Sequence, residues 1–520
     1  MKVVYSQKDN RLLLPRHEAV EAVAPDCKIM QHTSGKEYLS VPNTRSVALL
    51  LRNHGFKAKA PIIYEYDWRD STPFAAQRST AAMLTMRPRA YVLNEMGTGK
   101  TLAALYALDY LRSKGEIRKS LVVAPLSTLT PVWEMEVFKY MPHLSTCVLH
   151  GTAAKRKQLF AEGKHDIYII NHDALYILYE EFIQDKTIDC IIVDELGSFR
   201  NATTNKWKDL RDIVEGRKFV WGLTGQPTPN APTDAWAQMR LITPQRAPRF
   251  FSKFRKMTMQ KVSQFTWVDK PDAMDIVFKK MQPAARFTRS QVIELPSITY
   301  TNRTVDMSSK QKKAYKEIRS LMKTMVEDQR ITAANEAVAI NKMLQIASGF
   351  IYTDGKAYDL GFDRRVQEVR NIIEQASRKV IVFCPFVFAV DGLVQQLDKF
   401  KIPTLKLYGK TPKSARNHII REFQHGTESK ALVAHPKTMS HGLTLTAANT
   451  IIWFAPTQSL ETYEQANARI PRPGQTSKML VVHLMAPGTI EAATYKRLER
   501  RIRMQGMLLD MFRDNTVQYG

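Results

Sequence analysis

The sequence predicts an α/β protein: two tandem parallel-sheet lobes joined by a mostly helical bridge and preceded by a small N-terminal α+β accessory domain. Three observations predict it. At 520 residues the chain is too long for a single core and long enough for two or three. Between residues 71 and 241, short β-branched runs alternate with longer helical stretches, and the same alternation returns within residues 351–520. Each run in the first lobe ends in small or polar residues, and the pattern is that of strands buried on both faces of a parallel sheet. Ligands of such sheets sit beyond the carboxyl ends of the strands.

Residues 1–70 lack that alternation. They contain "KEYLSVPNTRSVALLLRNHGFKAKAP", which reads as a strand followed by an amphipathic helix ending at Gly55. Lys28, Lys36, Arg45, Arg52, Lys57 and Lys59 would give this domain a DNA-contacting surface. In the first lobe the strand candidates are "AYVLNE", "SLVVAP", "DIYIINH", "CIIVDE" and "KFVWGLTG". The bridge, residues 242–350, opens with Arg246, Arg249, Lys253, Arg255, Lys256 and Lys261, interleaved with Phe250, Phe251 and Phe254. That stretch reads either as a solvated helix face or as a phosphate-contacting surface. Two helices follow, in "SSKQKKAYKEIRSLMKTMVEDQ" and "ANEAVAINKMLQIASGF". The second lobe carries "KVIVFCPF", "PTLKLYG", "ALVAHP", "TIIWFAP" and "MLVVHLM". After it, Tyr495 to Phe512 form an amphipathic helix with a basic face, expected to pack on the second sheet.

Composition narrows the partners. Lys and Arg number 76 against 50 Asp and Glu, a net charge of +26, and a surface so positive points to a polyanion, nucleic acid first. Cys27, Cys147, Cys190 and Cys384 are far apart and never form C-x-x-C, which argues against a zinc site or a disulfide framework and for a reducing compartment. The first twenty residues lack a signal-peptide core and no run of about 18 apolar residues occurs, so no membrane is expected and the reading is cytoplasmic, in a bacterial or phage-infected cell.

The strongest chemical signal is "YVLNEMGTGKT", Tyr91 to Thr101. A strand runs into a glycine-containing turn and then a helix. Gly97, Thr98 and Gly99 would let backbone amides face phosphate oxygens, Lys100 would reach the β and γ phosphates, and the Thr101 hydroxyl would bind Mg²⁺. The first position of the G-x-x-x-x-G-K-T consensus is Asn94 rather than Gly. With a phosphate loop on one strand, an acid on a neighbouring strand is needed to hold the metal and another to polarise the attacking water. Asp194 and Glu195, ending "CIIVDELGSFRN", fit those roles; alone they would read as an acidic turn. In "ETYEQANARIPRPGQT", Gln465, Arg469 and Arg472 are spaced at four and three, on one helix face or at its exit. A surface salt-bridge face and a pair of arginines aimed at a γ-phosphate both satisfy that spacing.

In order along the chain these motifs resemble superfamily 2 helicases, and among them the Swi/Snf-type double-stranded DNA translocases. The resemblance covers roughly residues 71–490. It rests on "PFAAQ", "NEMGTGKT", "LVVAPLSTLTPVWEMEVFKYMP", "VDEL", "LTGQPTPN", "VDMSSKQKKAY", "VIVFCPF", "LYGKTPKSARNHIIREFQ", "HGLTLTAANTIIWF" and "QANARIPRPGQ". It implies two RecA-like lobes and a DNA-stimulated ATPase with ATP and Mg²⁺. Lys100, Thr101, Asp194 and Glu195 would form the centre, Gln77 would read the base, and Arg469 and Arg472 would be arginine fingers. Gln465 would also lie at the nucleotide, and Ser127, Thr128, Thr438 and Thr444 would touch the DNA backbone. Two departures stand out: Gly197 replaces the family's His after the acidic pair, and after T-G the residue before Pro227 is Gln226 rather than Thr. The expected function is an ATP-dependent motor, acting as a monomer on duplex or branched DNA in fork regression, branch migration, annealing or unwinding. An ATP-switched nucleic-acid-binding protein and an RNA helicase of the same superfamily are the alternatives.

Overall fold

The structure is a computed structural model that describes residues 3–31, 35–68, 73–263, 267–327, 333–353, 356–439, 444–517 and 519. The expected boundary at residues 70 and 71, the bridge residues Asp328 and Gln329, and His441, Gly442 and Leu443 of the "HGLTLTAANTIIWF" stretch lie outside the described residues. The chain divides into two units: one runs to Val292 and resumes at Gln505, and the other spans Ile293–Met504.

The first unit opens with an antiparallel sheet in the order Val4–Ser6, Arg11–Pro15, Glu37–Pro42, Lys28–Gln31. The helix Arg45–Asn53 follows as its sequence predicts. Thr44 caps it by accepting from the Val47 amide at 3.3 Å, and Gly55 takes the left-handed conformation (φ 81°) just beyond its end. Then comes a seven-stranded parallel sheet, ordered Ala284–Ala285, Arg89–Val92, Phe219–Leu223, Ile188–Val193, Lys119–Ala124, Ile167–Asn171, Thr146–Val148. Successive residues of each strand feed opposite cores. Val92, Val122, Ile192 and Trp221 join a cluster that continues into the N-terminal sheet and helix through Leu39, Val41 and Leu51, while Tyr91, Val123, Val193 and Val220 face the other.

The second unit is built on a six-stranded parallel sheet ordered Ile298–Thr304, Met479–Met485, Ala448–Trp453, Lys379–Phe383, Ala431–Ala434, Thr404–Leu407. Both faces are again covered, by clusters containing Val380 and Val382 on one side and Ile381 and Phe383 on the other. A buried ion pair, Arg365 Nη2 to Glu491 Oε2 at 2.5 Å, ties its helices Asp363–Gln375 and Ile490–Asp514 together.

Two expectations need correction. Residues 242–350 are not one bridge between the lobes, because Ala284–Ala285 extends the first sheet whereas Ile298–Thr304 pairs along its whole length with Met479–Met485 of the second. The helix after the last strand is shared too. Tyr495 and Leu498 lie in the second unit's core, but Leu508, Leu509 and Phe512 complete a core of the first, where Phe512 meets Phe278 at 5.1 Å between ring centroids. Beyond it, Tyr519 is buried in the first unit. Its carbonyl accepts from the Ala60 amide (2.8 Å), its hydroxyl from Arg87 Nε (2.9 Å), and Arg52 lies 4.4 Å over its ring. Among the described residues, no helix is long and apolar enough to cross a membrane.

His483 gives the second unit a pH dependence. Its ring is buried and stacked 4.3 Å from Tyr495; Nε2 accepts from the Tyr463 hydroxyl at 2.8 Å and Nδ1 donates to Asn302 Oδ1 at 3.2 Å. Burial pulls its pKa down to about 4. The folded form stays neutral while the unfolded form takes up a proton below about pH 6.5, so stability is lost as pH falls through that window, by up to about 3 kcal/mol near pH 4. Urea unfolding of His483→Gln should therefore show a shallower loss between pH 6.5 and 4.5 than the parent chain. Equal slopes would refute the assignment.

Candidate functional site

The carboxyl ends of the first sheet carry the glycine-turn and acidic-turn residues singled out in the sequence. After the strand Arg89–Val92 the backbone turns through Gly97 (φ 85°) and Gly99 (φ 75°), conformations in which a side chain costs about 1 kcal/mol or more. Gly99 caps the helix Lys100–Ser113, and the N-terminus of a helix, whose first amides lack intrahelical partners, is a general anion-binding feature. A Cβ on Gly99 would lie 2.2 Å from Gln77 Nε2, so any side chain there would displace the Gln77 amide. Gln77, on the helix Ala75–Met86, is buried; its Oε1 accepts from the Phe74 amide (2.9 Å) and its Nε2 donates to the Gly99 carbonyl (3.4 Å). Lys100 Nζ donates to the carbonyls of Asn94 (3.0 Å) and Glu95 (3.4 Å), the Thr98 hydroxyl donates to Glu95 O (2.8 Å), and Thr101 sits half-buried in the first helical turn.

Asn94, the departure from the phosphate-loop consensus, has a structural reason. Its side chain is fully buried: Nδ2 donates to Thr80 Oγ1 at 2.9 Å and Oδ1 accepts from the Phe287 amide at 3.0 Å. It therefore pins the loop to the preceding helix on one side and to the chain after residue 285 on the other. Glycine could make neither bond.

Asp194 is not on a strand adjacent to the phosphate loop's strand. Phe219–Leu223 lies between, paired in parallel with both. This interposes Thr224, Gly225 and Gln226. A Cβ on Gly225 would be 3.6 Å from Asn94 O and 4.0 Å from Lys100 Nζ, and a Cβ on Gly197 would be 3.4 Å from Gln226 O and 3.6 Å from Thr224 Oγ1. The turn after the third strand thus touches the phosphate loop and the acidic turn at once. Gly197 meets it through backbone, in place of an imidazole. Leu196 packs on Gly222 so closely that a Cβ there would lie 2.5 Å from Leu196 Cδ2.

Asp194 is buried and oriented from three sides. Oδ1 accepts from the Glu195 amide (3.0 Å), Oδ2 accepts from Trp133 Nε1 (3.0 Å), and its carbonyl accepts from His172 Nε2 (2.8 Å). Burial holds His172 neutral, its pKa pulled down to about 4. Glu195 adopts φ 47°, a left-handed turn that swings its half-buried side chain away from the strand direction. A carboxylate, a lysine, a hydroxyl and a helix N-terminus at the ends of one sheet fit the chemistry of Mg²⁺ and a triphosphate.

Trp133, Glu136 and His172 escaped the sequence reading. Glu136 Oε2 is buried without a partner among the described residues; burial, and after it the charge of Asp194, pushes its carboxyl up to about 7. Trp133 and Glu136 lie within "LVVAPLSTLTPVWEMEVFKYMP", where an acid three residues after a tryptophan was the available signal.

In the second unit the helix Leu460–Asn467 ends before Arg469 and Arg472, so both arginines lie in its exit. Their Nε atoms donate to the carbonyls of Gln465 (2.8 Å) and Ala468 (2.9 Å), and Arg469 is buried where Arg472 is partly open. Gln465 Nε2 reaches Glu461 Oε1 at 3.3 Å. The Thr128 hydroxyl donates to Pro125 O (2.9 Å) and that of Thr438 to His435 O (2.6 Å), both local strand-end caps, whereas Ser127 and Thr444 are exposed.

The family model for the SNF2-related domain matches residues 85–351, just over half of the chain, and that for the helicase conserved C-terminal domain matches residues 364–474. The chain belongs to the SNF2-related family. Similar relatives include an uncharacterised ATP-dependent helicase of Mycoplasma genitalium (28% identical over 82% of this chain and 40% of its own). Others are the SWI/SNF-related matrix-associated actin-dependent regulator of chromatin subfamily A-like protein 1 of Xenopus laevis (23%, over 84% and 43%) and putative protein p41 of Acyrthosiphon pisum secondary endosymbiont phage 1 (25%, over 81% and 94%). The chain thus spans less than half the length of the Mycoplasma and Xenopus proteins. Within this SNF2-related chain, Asn94→Gly restores the phosphate-loop consensus yet deletes two buried side-chain bonds. It should destabilise the first unit by about 2 kcal/mol in denaturant unfolding; an unchanged midpoint would show that the bonds contribute nothing.

Proposed function

We propose that this SNF2-related chain is an ATP-dependent DNA translocase or helicase. The observation that carries the proposal is the convergence, at the ends of one parallel sheet, of the Gly97–Gly99 cradle with Lys100 and Thr101, the Asp194–Glu195 turn, and the Thr224–Gln226 turn in contact with both. Lys100 would neutralise the terminal phosphates and Gln77 would bind the adenine. Mg²⁺, held by Thr101 and Asp194, would supply charge neutralisation of the phosphates. Asp194 is fixed for this by the Trp133 and Glu195 bonds, and Glu195 would accept a proton from the attacking water. Arg469 and Arg472, with Gln465, would sense the γ-phosphate from the second unit. Ser127, Thr128, Thr438 and Thr444 would meet the DNA backbone, and the net charge of +26 favours contacts through phosphates.

The finer reading is remodelling of branched or forked duplex DNA, by branch migration, fork regression or unwinding, by a monomer in the cytoplasm. Its support is the basic accessory domain whose core is continuous with the motor lobe, so that a grip on DNA there would move with the lobe. A gel assay on a synthetic four-way junction and a fork, with and without ATP, tests it. ATP-independent migration or none on either substrate would refute it.

Lys100→Ala and Glu195→Gln should fold and bind DNA as the parent does and lose DNA-stimulated ATP hydrolysis by at least a hundredfold. Turnover preserved in either would overturn the assignment of these residues, and a parent chain without steady-state turnover on duplex DNA would leave ATP as a switch. With Gly197 in place of a side-chain link, coupling of DNA to hydrolysis would run through Gln226, whose backbone carbonyl lies against Gly197 and whose amide both donates and accepts. Gln226→Ala should keep basal turnover and lose most of its stimulation by duplex DNA; full stimulation would exclude that route.

A further inference from the structure

The chain that leaves the first sheet for the second unit does not run free past the phosphate loop. From Pro283 it lies beside the loop's own strand, with the amides of Tyr91, Leu93 and Glu95 donating to the carbonyls of Pro283 (3.0 Å), Ala285 (2.8 Å) and Phe287 (2.9 Å). Asn94 Oδ1 takes the Phe287 amide, and Thr288 and Gln291 cap the short turn Arg289–Gln291. Arg289 closes the arrangement. Its backbone amide donates to Glu95 Oε2 (2.8 Å), its Nη2 to Glu95 Oε1 (3.0 Å), and its Nε to the Met96 carbonyl (3.1 Å).

We propose that Arg289 is a positioning residue for the phosphate loop, through which the shape of that loop is tied to the connector leading to the second unit. Glu95 is the shared part. Its carboxylate faces Arg289, while its carbonyl takes the Thr98 hydroxyl and Lys100 Nζ. Arg289 therefore holds, at one remove, the Thr98 hydroxyl and the Lys100 ammonium, and a Cβ on Gly97 would lie only 4.0 Å from its Nε. The side chain is mostly out of water, 13% exposed, and its planar fork fits the carboxylate and the carbonyl together. Three residues on, Val292 ends the first unit. A change in the loop at Glu95 and Met96 must be taken up by the segment that enters the second unit.

The inference rests on the loop binding ATP, and the test separates the two. Titration with a fluorescent ATP analogue and Mg²⁺ should give Arg289→Ala a Kd at least tenfold above the parent's, with kcat changed less than KM and the thermal midpoint within a few degrees. Arg289→Lys, which keeps the charge without the fork, should recover part of the affinity. Arg289→Ala combined with Glu95→Ala should lose clearly less than the sum of the two single losses, since both remove the Nη2–Oε1 bond. Hydrogen exchange at amides 287–292 should slow on nucleotide binding in the parent and not in Arg289→Ala. Parental Kd and exchange response in Arg289→Ala, or additive losses in the double variant, would overturn the positioning role while leaving the ATP site intact. A parent chain that binds no nucleotide would overturn both.

Discussion

The site of the first unit depends on one pairing: Phe219–Leu223 seated in parallel register between Arg89–Val92 and Ile188–Val193. A parallel sheet brings every strand end to the same edge, so three loops far apart in sequence arrive side by side without any contact designed between the distant segments. The register then sets the detail. Gly222 pairs with Tyr91 on one side and Val193 on the other, and its lack of a side chain admits Leu196, which seats the acidic turn over the central strand. Shifting that strand by one residue would exchange its two faces and put Trp221 where Gly222 receives Leu196.

Much of this was legible in the sequence, and the omissions have physical causes. All ten β-branched runs form strands, because burial on both faces keeps most of them nearly continuously apolar, the edge strand Thr404–Leu407 with its Lys406 being the weakest case. Ile298–Thr304 was read as bridge. It is an edge strand, and Tyr300, Asn302, Arg303 and Thr304 face water or the rim, so its composition is that of a linker. Thr146–Val148 and Ala284–Ala285 are too short to carry a period.

The chemical residues divide along the same line. The phosphate loop, Asp194 and Glu195 announce themselves because their spacing is local. Trp133 and Arg289 do not, since their roles come from a distance of 61 residues to Asp194 and 194 to Glu95 that no periodicity encodes. Asn94 belongs to both groups: as a break in a pattern it was visible, and as a two-sided brace it required the fold.

The return of the chain from Gln505 gives the first unit a core assembled from both sides of the second in sequence. During synthesis, a ribosome will have completed all of the first sheet and the entire second unit before Leu508, Leu509 and Phe512 emerge to fill their places beside Phe278. Until then the first unit lacks part of one of its cores, so it cannot be completed before the second unit in the usual domain-by-domain order.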